Sequence, residues 1–244
     1  MKIFASLLCF LALSASTFAQ APLVRSAASQ DVSGDGKPDK VAITGDPVKS
    51  RFTLTINGSR LVVPHDNFMD GLPGFRIVRL TTGAKQAYVA VSLLGANDHN
   101  EHYFFLYDGK AIRRAGVLPG TYTAPGNGVV YIKHWMAFWM SDTKYAVGKN
   151  GALQFVPQAG YYVGVSGMAK QTFPIRVSPT KTGATVANVS PNSKIDLLLF
   201  MPYGKGPLAG AESGYYLIKT QTGLCGWADF KVFEKKVDGL PYAG

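Results

Sequence analysis

Five residues with oxygen donors recur at alternate positions in the segment DVSGDGKPDKVAITG, residues 31–45. Three aspartates and a serine supply side-chain oxygens, and a lysine supplies a backbone carbonyl. In a loop that turns sharply at a glycine, such alternate positions converge on one cation. Hard oxygen donors suit Ca²⁺ and not zinc. The predicted calcium ligands are Asp31, Ser33, Asp35, Lys37 through its backbone, and Asp39.

The residues that follow this loop limit the role of a bound metal. An EF-hand has a bidentate glutamate at position 12, where this chain has Ala42. The next residues, KVAIT, alternate like a strand and not like a helix. The ligands would largely saturate a bound metal and would leave no group of the motif free to act as a base or nucleophile, so we predict a calcium site that fixes the entry to a strand. A metal-free aspartate–glycine turn is the alternative, because both residue types are common in turns.

The loop resembles the calcium loop of FG-GAP and VCBS-type repeats, which occur in integrin-like propellers and in many exported bacterial proteins. The residues that carry the resemblance are DVSGDGKPDKVAI, 31–43. It implies Ca²⁺ held between strands of a β-sheet by the five residues named above. A propeller needs several blades, and the chain has one such loop, so we expect a partial propeller-like sheet built from hairpins.

A second resemblance lies in the C-terminal part of the chain. SGYYLIKTQTGLCGWADFKVF, residues 213–233, is similar to the end of a bacterial SH3-type domain, and PIRVSPTKTGATVANV, residues 174–189, is similar to its first hairpin. Such domains bind peptidoglycan peptides or other wall components, or serve as docking modules. The resemblance implies a ligand groove, which we expect to be lined by Tyr215, Tyr216 and Trp227.

Two further clusters each allow two interpretations. The polar segment NDHNEHYF contains Asp98, His99, Glu101 and His102, which are candidates for a transition-metal site or simply form a polar loop before a strand. The aromatic segment YIKHWMAFWM, residues 131–140, suits stacking on sugars, but large rings are more often core. Strand alternation in this segment would place Trp135 and Trp139 on one face and Phe138 on the other.

Strand and turn signals dominate the chain, and no helical periodicity is found beyond the N-terminal segment. Turn dipeptides with glycine separate runs of alternating apolar and polar residues, as tight hairpins require. They are Asn57-Gly58, Asp108-Gly109, Asn150-Gly151 and Thr222-Gly223. We therefore predict an antiparallel all-β protein with a calcium-loop domain over 20–160, a glycine-rich connector over 160–172 and a small SH3-like barrel over 172–240.

The N-terminal segment, residues 1–19, predicts a secretory signal peptide, with Lys2 before an apolar run and Thr17 and Ala19 at the cleavage positions. Only Cys225 then remains, so we expect no internal disulfide and a buried cysteine. The net charge of +10 favours polyanions, anionic glycans or a membrane face. No nucleic-acid motif and no later membrane span are found.

These features predict an exported, monomeric, non-enzymatic protein of the periplasm or the exterior. It would bind or dock at the cell envelope through the SH3-like domain and recognise a wall peptide, a glycan or an envelope protein. One alternative is an envelope hydrolase with catalytic groups from residues 98–102, and another is a structural or inhibitory protein that binds through its edge strands. The absence of a Gly-x-Ser-x-Gly elbow, an HExxH helix and a phosphate loop favours binding over hydrolysis.

Overall fold

A computed structural model describes residues 26–65, 74–95 and 100–242 of the chain. The predicted signal peptide, residues 1–19, lies outside the described residues. The described chain forms four antiparallel β-sheets and very little helix, which confirms the predicted all-β class. In these three ranges, no helix is both long and apolar enough to cross a membrane.

The first three sheets each contain four strands, and in each sheet strands that are consecutive in sequence pair with one another. This up-and-down arrangement is also that of propeller blades, in keeping with a partial propeller-like region. Sheet I contains β1 (Ala27–Gln30), β2 (Asp39–Asp46), β3 (Arg51–Ile56) and β4 (Ser59–Pro64). Sheet II contains β5 (Gly74–Val78), β6 (Tyr88–Leu93), β7 (Glu101–Tyr107) and β8 (Ile112–Pro119). Sheet III contains β9 (Thr121–Thr123), β10 (Val129–Trp135), β11 (Met140–Val147) and β12 (Leu153–Val156).

The fourth sheet, sheet IV, has seven strands and curls into a half-barrel. Its strand order is β15-β14-β18-β17-β16-β13-β19, and a short helix α1 (Phe230–Phe233) follows β18. The strands are β13 (Tyr161–Ala169), β14 (Phe173–Arg176), β15 (Thr185–Val189), β16 (Lys194–Pro202), β17 (Gly214–Thr220), β18 (Cys225–Asp229) and β19 (Val237–Asp238). The predicted connector is thus largely β13, which pairs with both β16 and β19.

The four predicted hairpin turns are all present. They join β3 to β4, β7 to β8, β11 to β12 and β17 to β18. Asn57 and Gly58 have φ values of 48° and 88°, which is the pair of positive values that a type I′ turn requires. Turn chemistry therefore sets the register of the β3–β4 hairpin.

The hydrophobic pattern of each sheet matches the number of its faces that are buried. In β3 of sheet I, Phe52, Leu54 and Ile56 are buried and alternate with half-exposed residues, so one face is covered. In β6 and β7 of sheet II nearly every residue is buried, as expected when both faces are covered. One face of sheet II packs on sheet I and the other on sheet III, so the three sheets stack in chain order.

A turn of sheet III enters the core of sheet IV. We call residues 136–139, between β10 and β11, the hairpin tip. The Met136 backbone N–H donates to the Trp139 carbonyl oxygen at 2.8 Å, and Ala137 has a φ of 64°. Met136, Phe138 and Trp139 are at most 2% exposed and pack in the sheet IV core. The prediction that Phe138 faces away from Trp139 was therefore wrong, because a turn, unlike a strand, can direct two consecutive rings to the same side.

The burial predicted for Cys225 was also wrong, since its side chain is exposed. It lies opposite Lys219 on the outer face of the β17–β18 pair, whereas Gly226 next to it lies opposite the buried Ile218. Strand alternation thus gives the core position to the glycine and the surface position to the thiol.

Candidate functional site

Strand register places two of the predicted ligand-binding rings on the same outer face of sheet IV. Tyr215 lies opposite Asp229, and Trp227 lies opposite Leu217 on β17 and opposite Arg176 on β14. Because side chains alternate along a strand, Tyr215 and Leu217 share a face. Both rings are half-buried. They line a groove of about 290 Å³ with Arg176, Lys181, Lys231 and Val232, which we call the aromatic groove.

Tyr216 does not belong to this groove, which corrects the expectation that it lines a ligand site. Its side chain is 0% exposed and faces the core of sheet IV. Its hydroxyl donates to the Ala211 carbonyl oxygen at 2.9 Å and accepts from the Trp139 indole N–H at 3.2 Å. Burial raises the pKa of Tyr216, so the hydroxyl keeps the proton that it donates. Tyr216 is one position away from Tyr215, and one position on a strand is the opposite face.

Asp229 lines the aromatic groove, and Tyr203 supports it from beside the groove. One carboxylate oxygen of Asp229 accepts from the Tyr203 hydroxyl at 3.0 Å, and the other accepts from the Lys231 backbone N–H at 2.9 Å and caps helix α1. The rings of Tyr203 and Tyr215 meet edge to face, with centroids 5.2 Å apart. Burial, and next the Asp229 acceptor, raise the pKa of Tyr203. Asp229, the only carboxylate in the described lining of the groove, therefore already has two hydrogen-bond donors.

Three cations line the groove together with Asp229. Arg176 donates from Nη1 to the Gly183 carbonyl oxygen at 2.7 Å, which leaves its positive charge uncompensated. Lys181 and Lys231 are exposed. Among the described residues, the ion pairs involve neither these lysines nor Arg176. The groove thus offers aromatic and apolar surface beside an excess of positive charge, with three cations to one carboxylate. This suits a ligand with an apolar or ring-shaped body and a carboxylate.

Sequence reasoning found the two rings of this groove but not its charges. Arg176 lies on β14 and Lys181 in the β14–β15 loop, and the pairing of β14 with β18 brings them to Trp227. Lys231 lies on α1, directly after β18. The sequence signal available for this groove was the alternation of side chains along β17 and β18. This alternation also places Tyr215 and Tyr216 on opposite faces of the sheet.

The predicted calcium loop folds around the carboxylate of Asp39. This side chain is 3% exposed. Its Oδ2 accepts from the backbone N–H groups of Val32 and Ser33, each at 2.9 Å, and its Oδ1 accepts from the Asn57 amide at 2.6 Å. Asp39 therefore ties the start of the loop to the β3–β4 turn.

The other two aspartates of the loop also accept backbone hydrogen bonds. Asp31 accepts from the N–H groups of Gly34 at 2.6 Å and Gly36 at 2.9 Å, and Asp35 accepts from Lys37 at 2.8 Å. The bond from Gly34 is the main cause that lowers the pKa of Asp31. Gly34 has a φ of 87°, and a Cβ there would come within 2.9 Å of the backbone at residues 85–86. The loop therefore packs against sheet II at a position that only glycine can fill.

The oxygen chemistry of the loop suits Ca²⁺, and in this structure its aspartates accept hydrogen bonds from N–H groups. Within residues 26–65, 74–95 and 100–242, no three His, Cys, Asp or Glu side chains come together as a metal site. Asp31, Asp35 and Asp39 are each turned towards N–H donors, while Ser33 Oγ donates weakly to Asp31 at 3.4 Å. The loop closes through hydrogen bonds of its own. Calcium binding stays a prediction.

Glu101 and His102, the two described residues of the polar cluster, make structural hydrogen bonds. His102 is 8% exposed, and its Nε2 lies 2.8 Å from the Gly120 carbonyl oxygen, which can only accept. Its Nδ1, 2.8 Å from Ser92 Oγ, is therefore the acceptor in the neutral ring. Glu101 accepts from the Tyr103 hydroxyl at 2.9 Å. Asp98 and His99 lie outside the described residues, so the predicted His-x-x-His site is described only in part.

Burial, and further the charge of Arg76, lower the pKa of His102, while the bond to Gly120 opposes them. In the unfolded chain His102 binds a proton near pH 6.5, whereas in the folded chain it does so only at a lower pH. The free energy of unfolding therefore decreases as the pH falls below 6.5. We expect the free energy of unfolding of the wild type to fall between pH 7 and pH 5 by up to about 1.4 kcal/mol per pH unit more than that of His102→Gln. Urea unfolding at several pH values measures both slopes, and equal slopes would contradict the assignment.

We compared the chain with models of known protein families, with curated proteins and with solved structures, and none of these comparisons found a match. The resemblances to FG-GAP or VCBS-type loops and to SH3-type domains therefore stay predictions.

Proposed function

We propose that this chain is an exported, non-enzymatic binding or docking protein of the cell envelope. Its aromatic groove recognises an anionic wall component, which is a peptide, a glycan or an envelope protein bearing carboxylates. The observation that carries the proposal is the position of Trp227 and Tyr215 beside Arg176, Lys181 and Lys231. The predicted signal peptide and the resemblance to an SH3-type domain support the location.

The groove supplies two kinds of contact to such a ligand. The exposed parts of Trp227 and Tyr215 offer flat apolar surface for a sugar ring or an aliphatic side chain. The guanidinium of Arg176 offers paired N–H donors to a carboxylate, and the two lysines add flexible positive charge. The net charge of +10 draws polyanions towards the surface before these contacts form.

The described geometry supports binding more than hydrolysis. In the aromatic groove, the one carboxylate is held by Tyr203 and by the Lys231 backbone. In the polar cluster, both ring nitrogens of His102 face protein partners. Calcium enters the proposal as a stabiliser of the loop at residues 31–39, supported by the type and spacing of its oxygen donors.

Sedimentation with purified peptidoglycan tests the proposal. We expect the wild type to sediment, and Trp227→Ala to weaken binding by about 2 kcal/mol or more, roughly 30-fold, as for a central aromatic contact. Tyr162→Ala is the matched control, because Tyr162 is a 74% exposed tyrosine elsewhere on sheet IV. Wild type that stays in the supernatant at low salt would refute recognition of the wall.

Charge variants separate specific recognition from general attraction. Lys181→Gln with Lys231→Gln removes two charges at the groove, whereas Lys85→Gln with Lys110→Gln removes two exposed charges elsewhere. We expect the first pair to weaken sedimentation clearly more than the second. Equal losses would mean that net charge alone drives binding.

A further inference from the structure

A second cavity, of about 340 Å³, lies where sheets II and III meet a loop of sheet IV. We call it the junction cavity. Val117 of β8 lies on one side, Leu153 and Phe155 of β12 lie on another, and Leu208 of the β16–β17 loop closes the third. Its volume falls in the range of small-molecule sites, which are often found between structural units.

A row of hydroxyls on β11 faces this cavity. Ser141, Thr143 and Tyr145 occupy alternate positions, so their side chains share one face, and all three line the cavity. They are 0%, 7% and 7% exposed. Ser141 Oγ donates to the His134 carbonyl oxygen at 3.0 Å. The hydroxyls of Thr143 and Tyr145 make no side-chain hydrogen bond among the described residues.

These two hydroxyls are available to a ligand. Neither is fully buried, although their residues are only 7% exposed, so water in the cavity can reach both. A ligand with oxygen acceptors can replace that water and bond to both hydroxyls. Burial raises the pKa of Tyr145, so its phenol stays protonated and can donate. Phe155 packs edge to face on Tyr145, with centroids 5.4 Å apart, and holds the ring in place.

The cavity differs from the rest of this basic protein in its charge. Its described lining contains no Lys, Arg, Asp or Glu, and its only ionisable side chains are His134 and Tyr145. A carboxylate or an ammonium group would lose its hydration there without gaining a counter-charge. Apolar walls with donor hydroxyls along one strand fit an uncharged molecule with an apolar body and oxygen acceptors on one edge.

We propose that the junction cavity is a binding site for a small uncharged amphiphile, distinct from the aromatic groove and independent of its function. Carbonyl or ether oxygens of the ligand accept from the Tyr145 and Thr143 hydroxyls. Its apolar body packs between Leu153, Phe155 and Leu208.

Fluorescence titration of the intact protein with two dyes tests this site. The first is the uncharged dye methoxymethylcoumarin, which has a flat apolar body and a carbonyl acceptor. The second is its carboxylated analogue, methoxycoumarin acetic acid. We expect saturable binding of the uncharged dye, and binding of the carboxylated dye at this site that is at least about tenfold weaker, because the cavity offers no counter-charge.

Three variants and a matched control locate the binding. Tyr145→Phe and Thr143→Val remove one hydroxyl each and should weaken the uncharged dye by about threefold to tenfold. Leu153→Trp fills the cavity and should weaken it by more than about tenfold. Tyr131→Phe is the control, since Tyr131 is an exposed tyrosine on the other face of sheet III, and should leave the affinity unchanged.

Other results would overturn the proposal. The proposal fails if Tyr145→Phe and Leu153→Trp bind the uncharged dye with unchanged affinity. It also fails if Trp227→Ala loses affinity for the dye instead, because the dye would then occupy the aromatic groove. Thermal unfolding checks that each variant is folded. If Leu153→Trp does not fold, Pro207→Trp at the exposed rim of the same cavity takes its place, with the same expected loss.

Discussion

Replacing Trp139 with alanine is expected to lower the free energy of unfolding by about 3–5 kcal/mol, the usual loss for a large ring deleted from a core. Trp139 is 2% exposed. Its ring packs 5.6 Å from that of Phe200, and its indole N–H donates to the Tyr216 hydroxyl. The change therefore opens a cavity at the place where sheet III enters sheet IV. Urea unfolding followed by circular dichroism measures the loss.

The same hairpin offers a matched control. Trp135 is the other tryptophan of this segment, but it is half-buried and lies outside the three cores. We expect Trp135→Ala to cost about 1 kcal/mol. Trp139→Phe should cost less than Trp139→Ala, because phenylalanine keeps an aromatic ring in the core. It still loses the hydrogen bond to Tyr216. Equal losses at Trp135 and Trp139 would contradict the role of the hairpin tip.

The second large effect is expected at Asp39 in the loop of residues 31–39. Asp39→Ala leaves the N–H groups of Val32 and Ser33 and the amide of Asn57 without their acceptor. The loss of one buried and one partly buried backbone bond should cost about 2–4 kcal/mol. This cost arises in EDTA as well as in calcium, because it does not depend on a metal. Thermal unfolding in EDTA measures it.

Two further variants separate hydrogen bonding from metal binding. Asp39→Asn keeps one oxygen that can accept from the Val32 and Ser33 N–H groups but removes the negative charge that a cation needs. Asp35→Ala removes an exposed carboxylate that accepts one N–H bond. If Ca²⁺ binds, millimolar calcium should raise the melting temperature of the wild type, and both variants should lose that rise. A melting temperature that calcium leaves unchanged in the wild type would refute the calcium prediction.

The fold class and the hairpins were predictable from sequence because they depend on local chemistry. Asn57-Gly58 supplies two positive φ values in adjacent residues, and Phe52, Leu54 and Ile56 alternate as a one-sided sheet requires. The long apolar runs of β6 and β7 also indicate a sheet that is covered on both faces. Which sheets would cover them was not predictable, because apolar patterning does not specify the partner.

The errors occurred where tertiary contacts override local patterns. Phe138 and Trp139 look like strand residues, yet the left-handed φ of Ala137 makes a turn that directs both rings to sheet IV. Cys225 resembled a core residue, but Gly226 holds the inner position beside it. The charges of the aromatic groove were not predicted for the same reason, since Arg176 is far from Trp227 in sequence and next to it only in the sheet.

The serial stacking of sheets I, II and III also bears on how the molecule assembles. Chains are completed from the N-terminus, and structural units generally form as they are released. Sheet I exposes the apolar row of Phe52, Leu54 and Ile56 until β5 to β8 have been made, and sheet II waits in turn for sheet III. The apolar face of each sheet is thus buried only when the next sheet has formed. The hairpin tip of sheet III is buried last, when sheet IV closes around it. A chain that stops after Pro119 would leave the sheet III side of sheet II bare, a surface prone to aggregation.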